Sequence, residues 1–468
     1  MEVVVFYGIY LFAALLLAGT AIVVTGGALH LGYRTNDGLL VYILLPLIVV
    51  IALDPILSGR NLSFDVSALV AAGESRSAVV KWLQRLTSLY LLAAAVERVA
   101  YKLFKGGRTA GHGPLMIAFA VCWIGNVALP CAFGDRPVFT HEYMYWFVIG
   151  LGLLATSATG AETAIRVARN ALAVFSALGL IILVVKSSMV LQPYVGGLFK
   201  FFPWRYSGLA VGPNQMGPFA LLLMICLACF PFERRWLNRA AWFAAWMSIL
   251  LSQSKTAWLA GLASFTVIGL VRGKGLWATW LRSPRHRFAA QCLFVVAALL
   301  LVLGMLVVGS GALEAKLQKF LATRAGTDMA NLTGRNEIWA AAWQTFVDHP
   351  WFGYGPTIWD PYFQFKIGLN VFHAHSQILN VMAASGLVGL VSFLVFVVML
   401  YRQAWKHITA YNGFVAGVGV VVLLRFISEV PFTFHSFGTE ALMPSLLFLA
   451  IAGASSAQRH MAASASQA

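Results

Sequence analysis

Residues 371–400 read VFHAHSQILNVMAASGLVGLVSFLVFVVML. After His375 no charged side chain occurs until Arg402. A helix of about 20 mostly apolar residues is what crosses the hydrocarbon core of a bilayer, so residues 376–401 are expected to span one. Two titratable rings, His373 and His375, stand just before that span.

Similar runs recur along the whole chain. Of its 468 residues, 60% are hydrophobic and 11% charged, and the mean hydropathy is +0.79. A soluble fold would need a core larger than single domains support and would leave these runs without a polar face. The expected fold is therefore all-α, a polytopic integral membrane protein of about 12 transmembrane helices with one large, partly helical loop on the outer face. Spans are expected near residues 4–27, 38–54, 84–101, 114–133, 142–160, 172–192, 208–230, 239–253, 256–271, 289–309, 376–401, 412–430 and 438–454. The first has no Lys or Arg before it and is too long for a signal-peptide core, so it reads as a retained span. Twelve or thirteen crossings remain open, because Ser58–Arg85 is mixed enough to be re-entrant or to lie on the surface. The domain division is 1–309 transmembrane helices, 310–375 loop, 376–455 C-terminal helices and 456–468 tail, with disorder expected after Ala454.

The net charge of +16 would suggest nucleic acid in a soluble protein. Here the cations cluster between spans, where they set orientation instead. Lys102–Arg108, Phe232–Arg239, Arg272–Arg287 and Arg402–His407 read as cytoplasmic, as does the tail. The opposite face then receives residues 191–207, 253–255, 309–375 and 431–437. No nucleic-acid partner is expected, and membrane lipid is. The five cysteines all fall in or beside spans, so no disulfide framework is implied.

The outer loop is not a linker. Ala312–Thr323 and Asn336–Val347 carry apolar residues at helical spacing, and His349–Pro356 (HPWFGYGP) is a turn cluster. Trp339, Trp343, Trp351, Trp359 and Tyr362 are expected to close the loop against the membrane surface, where aromatic rings accumulate.

Ionisable groups near the outer surface are functional candidates. They are Arg205, Lys255, Arg335, His373 and His375. Each has a bland reading: a snorkelling helix end for Arg205 and Lys255, a partner in Glu337 or Asp348 for Arg335, a helix start for the histidines. Arg425 and Glu429, four apart in a span, are expected to pair with each other. Cations and a titratable base on one face suit an anionic substrate, since arginine matches phosphate oxygens bidentately. His-x-His supplies at most two metal ligands, and neither Asp348 nor Asp360 shows ligand spacing to it, so no metal and no cofactor is expected. The Asn331–Thr333 sequon is read as chance.

Four segments together resemble the O-antigen ligase family. These are His375-Ser376 followed by Gly386–Gly389 (GLVG), Arg205–Gly217 (RYSGLAVGPNQMG), Ser252–Ala260 (SQSKTAWLA), and Thr333–Gly355 with its Arg335, Trp and Pro-x-x-Gly-x-Gly pattern. The resemblance covers roughly residues 200–400. It implies a metal-independent inverting glycosyltransferase at the periplasmic face of the bacterial inner membrane. Such an enzyme moves a glycan from undecaprenyl diphosphate to the lipid A-core in lipopolysaccharide biosynthesis. O-antigen polymerases and protein O-oligosaccharyltransferases share the architecture. By match to the motifs, His375 is the implied base and Arg335 and Lys255 hold the diphosphate, although this turn often carries arginine in the family. Arg205 is a third phosphate contact or a helix-end anchor, and His373 orients the site or starts the helix. A secondary transporter of an anionic solute would instead place its polar groups mid-bilayer on broken helices in two related halves, and no such repeat is visible.

Overall fold

Apolar runs in lipid must pair their backbone internally, which favours helices. The computed structural model describes residues 26, 39–62, 78–104, 112–194, 203–273, 335–369 and 371–465. The expected spans 4–27 and 289–309 and the expected helix 312–323 lie outside the described residues, wholly or nearly so.

The helices in chain order are α1 (Leu44–Leu57), α2 (Ala78–Phe104), α3 (Gly113–Trp123), α4 (Leu129–Phe133), α5 (Tyr143–Leu154), α6 (Ala158–Val185), α7 (Pro213–Cys229), α8 (Arg235–Ser252), α9 (Lys255–Arg272), α10 (Arg335–Asp348), α11 (Pro361–Ile367), α12 (Gln377–Lys406), α13 (Ala410–Ser428) and α14 (Leu442–Ala465). Their starts follow from local chemistry. His112 Nδ1 accepts from Leu115 N at 3.0 Å, Ser157 Oγ from Gly160 N at 3.1 Å and Asp360 Oδ1 from Phe363 N at 2.7 Å. Proline opens α7 and α11, where its missing N–H has no cost.

Among the described residues, six helical segments are long and apolar enough to cross a membrane: Leu39–Leu57, Gly113–Phe133, Ala158–Val185, Gln377–Lys406, Ala410–Ser428 and Thr439–Arg459. This makes the protein a multi-pass helical membrane protein. Several expectations change in detail. The run at 142–160 breaks after Leu154, and α6 begins at Ala158, well before residue 172, because Ser157 supplies a cap inside an otherwise continuous apolar pattern. A two-stranded antiparallel ladder, β1 (Leu191–Pro193) with β2 (Trp204–Tyr206), interrupts the all-α reading. The segment after Ala454 is helical to Ala465 rather than disordered. Ser455 and Ser456 are buried there, and small residues let the helix lie close to its neighbours.

Helix directions place the site. Ser264 Oγ of α9 donates to Gly417 O of α13 at 3.0 Å, and Gly413 faces Ile268 and Val271, so these helices run antiparallel. Tyr401 Oη of α12 donates to Gly419 O at 2.8 Å, with the same sense. Lys255, Gln377 and Ser428 therefore lie at one end of the bundle. β2 joins that end, where Arg205 Nε donates to Ser252 O at 3.0 Å and Gln253 Nε2 to Trp204 O at 2.7 Å.

The helix α12 is broken at Gly386, where φ is +62°. The segment Pro350–Gly355 repairs the break. Leu387 N donates to Pro350 O at 2.7 Å and Val388 N to Trp351 O at 3.2 Å, while Tyr354 N and Gly355 N donate to Ala383 O and Ala384 O at 2.9 and 3.0 Å. A Cβ at Gly386 would stand 2.5 Å from the Trp351 carbonyl, and Gly353 (φ +70°) is equally crowded by the Ala384–Ser385 backbone. The Pro-x-x-Gly-x-Gly and GLVG patterns are thus two edges of one backbone seam. Across from it, a π-turn at Ile124–Ala128 between α3 and α4 frees Asn126 O to accept Ser385 Oγ at 2.9 Å.

Candidate active site

His375 and His373 occupy the turn leading into α12. The turn is heavily constrained. Trp339 Nε1 donates to Ala374 O at 2.9 Å and Ala374 N to Asn380 Oδ1 at 3.2 Å. Asn380 Oδ1 also accepts from Trp359 Nε1 at 2.9 Å. His375 N donates to His373 Nδ1 at 3.1 Å. Under these restraints His375 adopts φ +48°, a left-handed conformation that costs a non-glycine residue on the order of 1 kcal/mol and persists only where surroundings impose it.

Both rings meet Glu429, which follows α13 and is 7% exposed. His375 Nδ1 lies 3.2 Å from Glu429 Oε2 and His373 Nε2 lies 3.7 Å from the same oxygen. Arg335, at the start of α10, places its guanidinium 3.7 Å from Glu429 Oε1. Burial by itself would raise the Glu429 carboxyl, but the hydrogen bond from His375 and the nearby His373 and Arg425 outweigh it and hold the carboxyl below its ordinary value. An ionised Glu429 can only accept, so the proton of this hydrogen bond sits on His375 Nδ1, which in the neutral tautomer leaves the lone pair on Nε2. For His373, burial first and the charge of His375 second push the ring down to about 4, so it is neutral near pH 7.

The expected Arg425–Glu429 pair does not form. Arg425 pairs with Glu440, because α13 ends at Ser428 and Glu429 turns away in extended conformation (φ −151°). Arg335 likewise bypasses Glu337 and Asp348. Trp339 and Trp359, expected as interface residues, are hydrogen-bonded braces of the histidine turn, whereas Trp343, Trp351 and Tyr362 are exposed.

Lys255 is the first residue of α9 and is exposed. Arg205 is partly committed to structure: beyond Ser252 O, it donates to Asn214 Oδ1 at 2.7 Å, and burial lowers its guanidinium. The structure thus brings His373, His375 and Arg335 together on Glu429 and puts Lys255 and Arg205 at the same end, with no direct contact between the two groups. The N-termini of α7, α9, α10 and α12 all open at this end, so four positive helix ends add to three cations.

His373, His375 and Glu429 offer ligand atoms within 4.8 Å of one another, a spacing that could hold a metal ion. The donor set argues otherwise. The backbone N–H of His375 points at His373 Nδ1, so the neutral ring carries its proton on Nε2, the atom an ion would need.

Glu429 was missed in the sequence because it comes 54 residues after His375 and has a plausible local partner. One signal was present: an acid at the end of an otherwise apolar run on the same predicted face as the histidines.

Fold and site define a multi-pass helical membrane protein with a histidine–carboxylate–arginine cluster at one end of its bundle. Residues 240–394, about a third of the chain, match the family model described as O-antigen ligase, a match that supports the superfamily of O-antigen ligases and polymerases. Members are glycosyltransferase-like, which supports an enzyme. The matched stretch includes Lys255, Arg335, His373 and His375 and leaves out Arg205 and Glu429. A search of curated proteins finds no match to the chain.

Proposed function

We propose that the protein is an O-antigen ligase. It transfers a glycan from undecaprenyl diphosphate to the lipid A-core at the periplasmic face of the inner membrane, with inversion and without a divalent cation. The observation that carries this reading is a base beside permanent cations at an end of the bundle where four helix N-termini open.

The acceptor hydroxyl attacks the anomeric carbon of the lipid-linked sugar. A C–O bond forms, the bond from that carbon to the diphosphate breaks, and the hydroxyl proton passes to His375 Nε2. Arg335 and Lys255 stabilise the departing diphosphate, with Arg205 as a third contact at the β2 turn. Lys255 at a helix N-terminus sits against the helix dipole, a placement unfavourable by about 0.3–1 kcal/mol. A bound anion reverses that sign. His373 stays neutral and braces the turn.

The test is transfer by the purified protein from a polyprenyl diphosphate-linked glycan to lipid A-core, with and without EDTA. Transfer that survives EDTA and is lost in folded His375→Ala supports the proposal. Chain growth on the lipid-linked donor without transfer to lipid A-core reassigns the protein as a polymerase with the same chemistry. Loss with EDTA and recovery with Zn²⁺ would move His373, His375 and Glu429 into a metal site.

A further inference from the structure

We infer that Glu429 is the positioning residue of His375 and that Gln377 holds the two in register. The inference rests on the reading of His375 as the base.

Glu429 and His375 belong to different strands of chain, and their 3.2 Å contact needs a tie between them. Gln377, fully buried two residues after His375, supplies it. Its Oε1 accepts from Phe432 N at 2.9 Å and its Nε2 donates to Phe432 O at 3.2 Å. One side-chain amide therefore satisfies both backbone groups of a residue three positions beyond Glu429, as a rung of sheet would. Phe432 is in turn wedged among Trp146, Phe393, Phe396 and Phe448, and Glu429 N is anchored on Arg425 O at 2.8 Å. The carboxylate cannot drift without disturbing a packed aromatic cluster.

The chemistry gives this geometry a purpose. A carboxylate at Nδ1 selects the tautomer with the lone pair on Nε2 and stabilises the imidazolium that forms as the proton is taken. The alternative is that Glu429 merely neutralises Arg335. At 3.7 Å that contact is the looser of the two. Among the described residues, the charged or titratable groups facing Glu429 are His375, His373, Arg335 and Arg425, the last already paired with Glu440.

The two roles separate in a pH profile of kcat and KM for wild type, Glu429→Gln, Glu429→Asp, Gln377→Leu and His375→Ala, each as full-length protein with its thermal midpoint recorded. Glu429→Gln is expected to lower kcat by about 10²–10³-fold with donor KM within twofold, and to move the acidic limb to lower pH because the imidazolium loses its counter-charge. Glu429→Asp should lie between wild type and Glu429→Gln. Gln377→Leu should lower kcat by about tenfold, and it decides the matter if the Glu429 variants do not fold. An unchanged acidic limb in Glu429→Gln, a change confined to KM, or a Gln377→Leu enzyme with wild-type kcat overturns the inference. If His375→Ala still transfers, the base assignment itself fails. If His375→Ala is inactive while Glu429→Gln behaves as wild type, only the positioning inference fails.

Discussion

At the Asn412 end of the α9–α13 pair, Arg272 donates from Nε to Asn412 O at 2.8 Å and from a terminal nitrogen to Ala228 O at 2.9 Å. Arg169 on α6 does the same for Phe230 O and Pro231 O at 2.7 and 2.9 Å. At the Glu429 end, Arg335 and both histidines converge on a side-chain carboxylate. Cations at the first end cap helix carbonyls and hold chain together. At the second end Arg205 and Arg60 also hold backbone carbonyls, so the contrast lies with Arg335 and the two histidines, which face a side chain. Carbonyls are neutral acceptors fixed by the fold, whereas a titratable carboxylate beside two rings can respond to a proton or to an arriving anion. On the proposed reading, that difference separates a structural cation from a functional one in a chain rich in both.

The comparison can be broken most directly at His375. His375→Ala should lower glycan transfer by about 10²–10⁴-fold, the usual contribution of a general base, with the thermal midpoint little changed; a stability loss matching the activity loss would make this end structural as well. Arg335→Ala should cost roughly 10²-fold in kcat, with partial recovery in Arg335→Lys, which keeps charge without the planar fork. Arg272→Ala should do the opposite, destabilising by about 1 kcal/mol through unmet carbonyls while the folded fraction keeps its kcat; thermal unfolding beside transfer assays reads both. Lys255→Ala should raise donor KM by about three- to tenfold, since an exposed point charge contributes less than a buried fork. The smallest effect concerns acid. His373 has a folded pKa near 4, below its ordinary 6.5, so the unfolded chain binds the extra proton first and stability falls as pH drops from 6.5 towards 4. Glu429, also lowered, adds to the loss in the same direction. His373→Gln should flatten the His373 part of that acid limb in a pH series of thermal midpoints.

Much of this was legible in order and side. Apolar runs located the α7, α8, α9, α12 and α13 helices, the basic clusters separated the two ends, and the spacing around His375, Gly386 and Pro350–Gly355 pointed to one site. What could not be read was who meets whom across the bundle. Glu429 had Arg425 one turn away in sequence, and only the end of α13 at Ser428 sends its carboxylate to the histidines instead. Gln377 and Asn380 lie in the first turn of an expected span, and no motif in the sequence marks either of them. Their hydrogen-bond partners are distant in sequence or lie in a turn whose φ values no periodicity encodes. Trp339 and Trp359 misled for a related reason, since an indole at a membrane surface and an indole bracing a loop have the same residue type and differ only in where the N–H points.

The seam at Gly386 bears on how this chain can be assembled and altered. Two N–H groups and two carbonyls in the middle of α12 are satisfied by residues 350–355, so the span is not a finished hydrophobic rod when it leaves the ribosome. Residues 350–355 are synthesised first, and the backbone of the span is complete only once the two segments have met. A transplant of the loop before α12 from a relative should therefore fail unless residues 383–388 travel with residues 350–355, whatever the match between their surfaces.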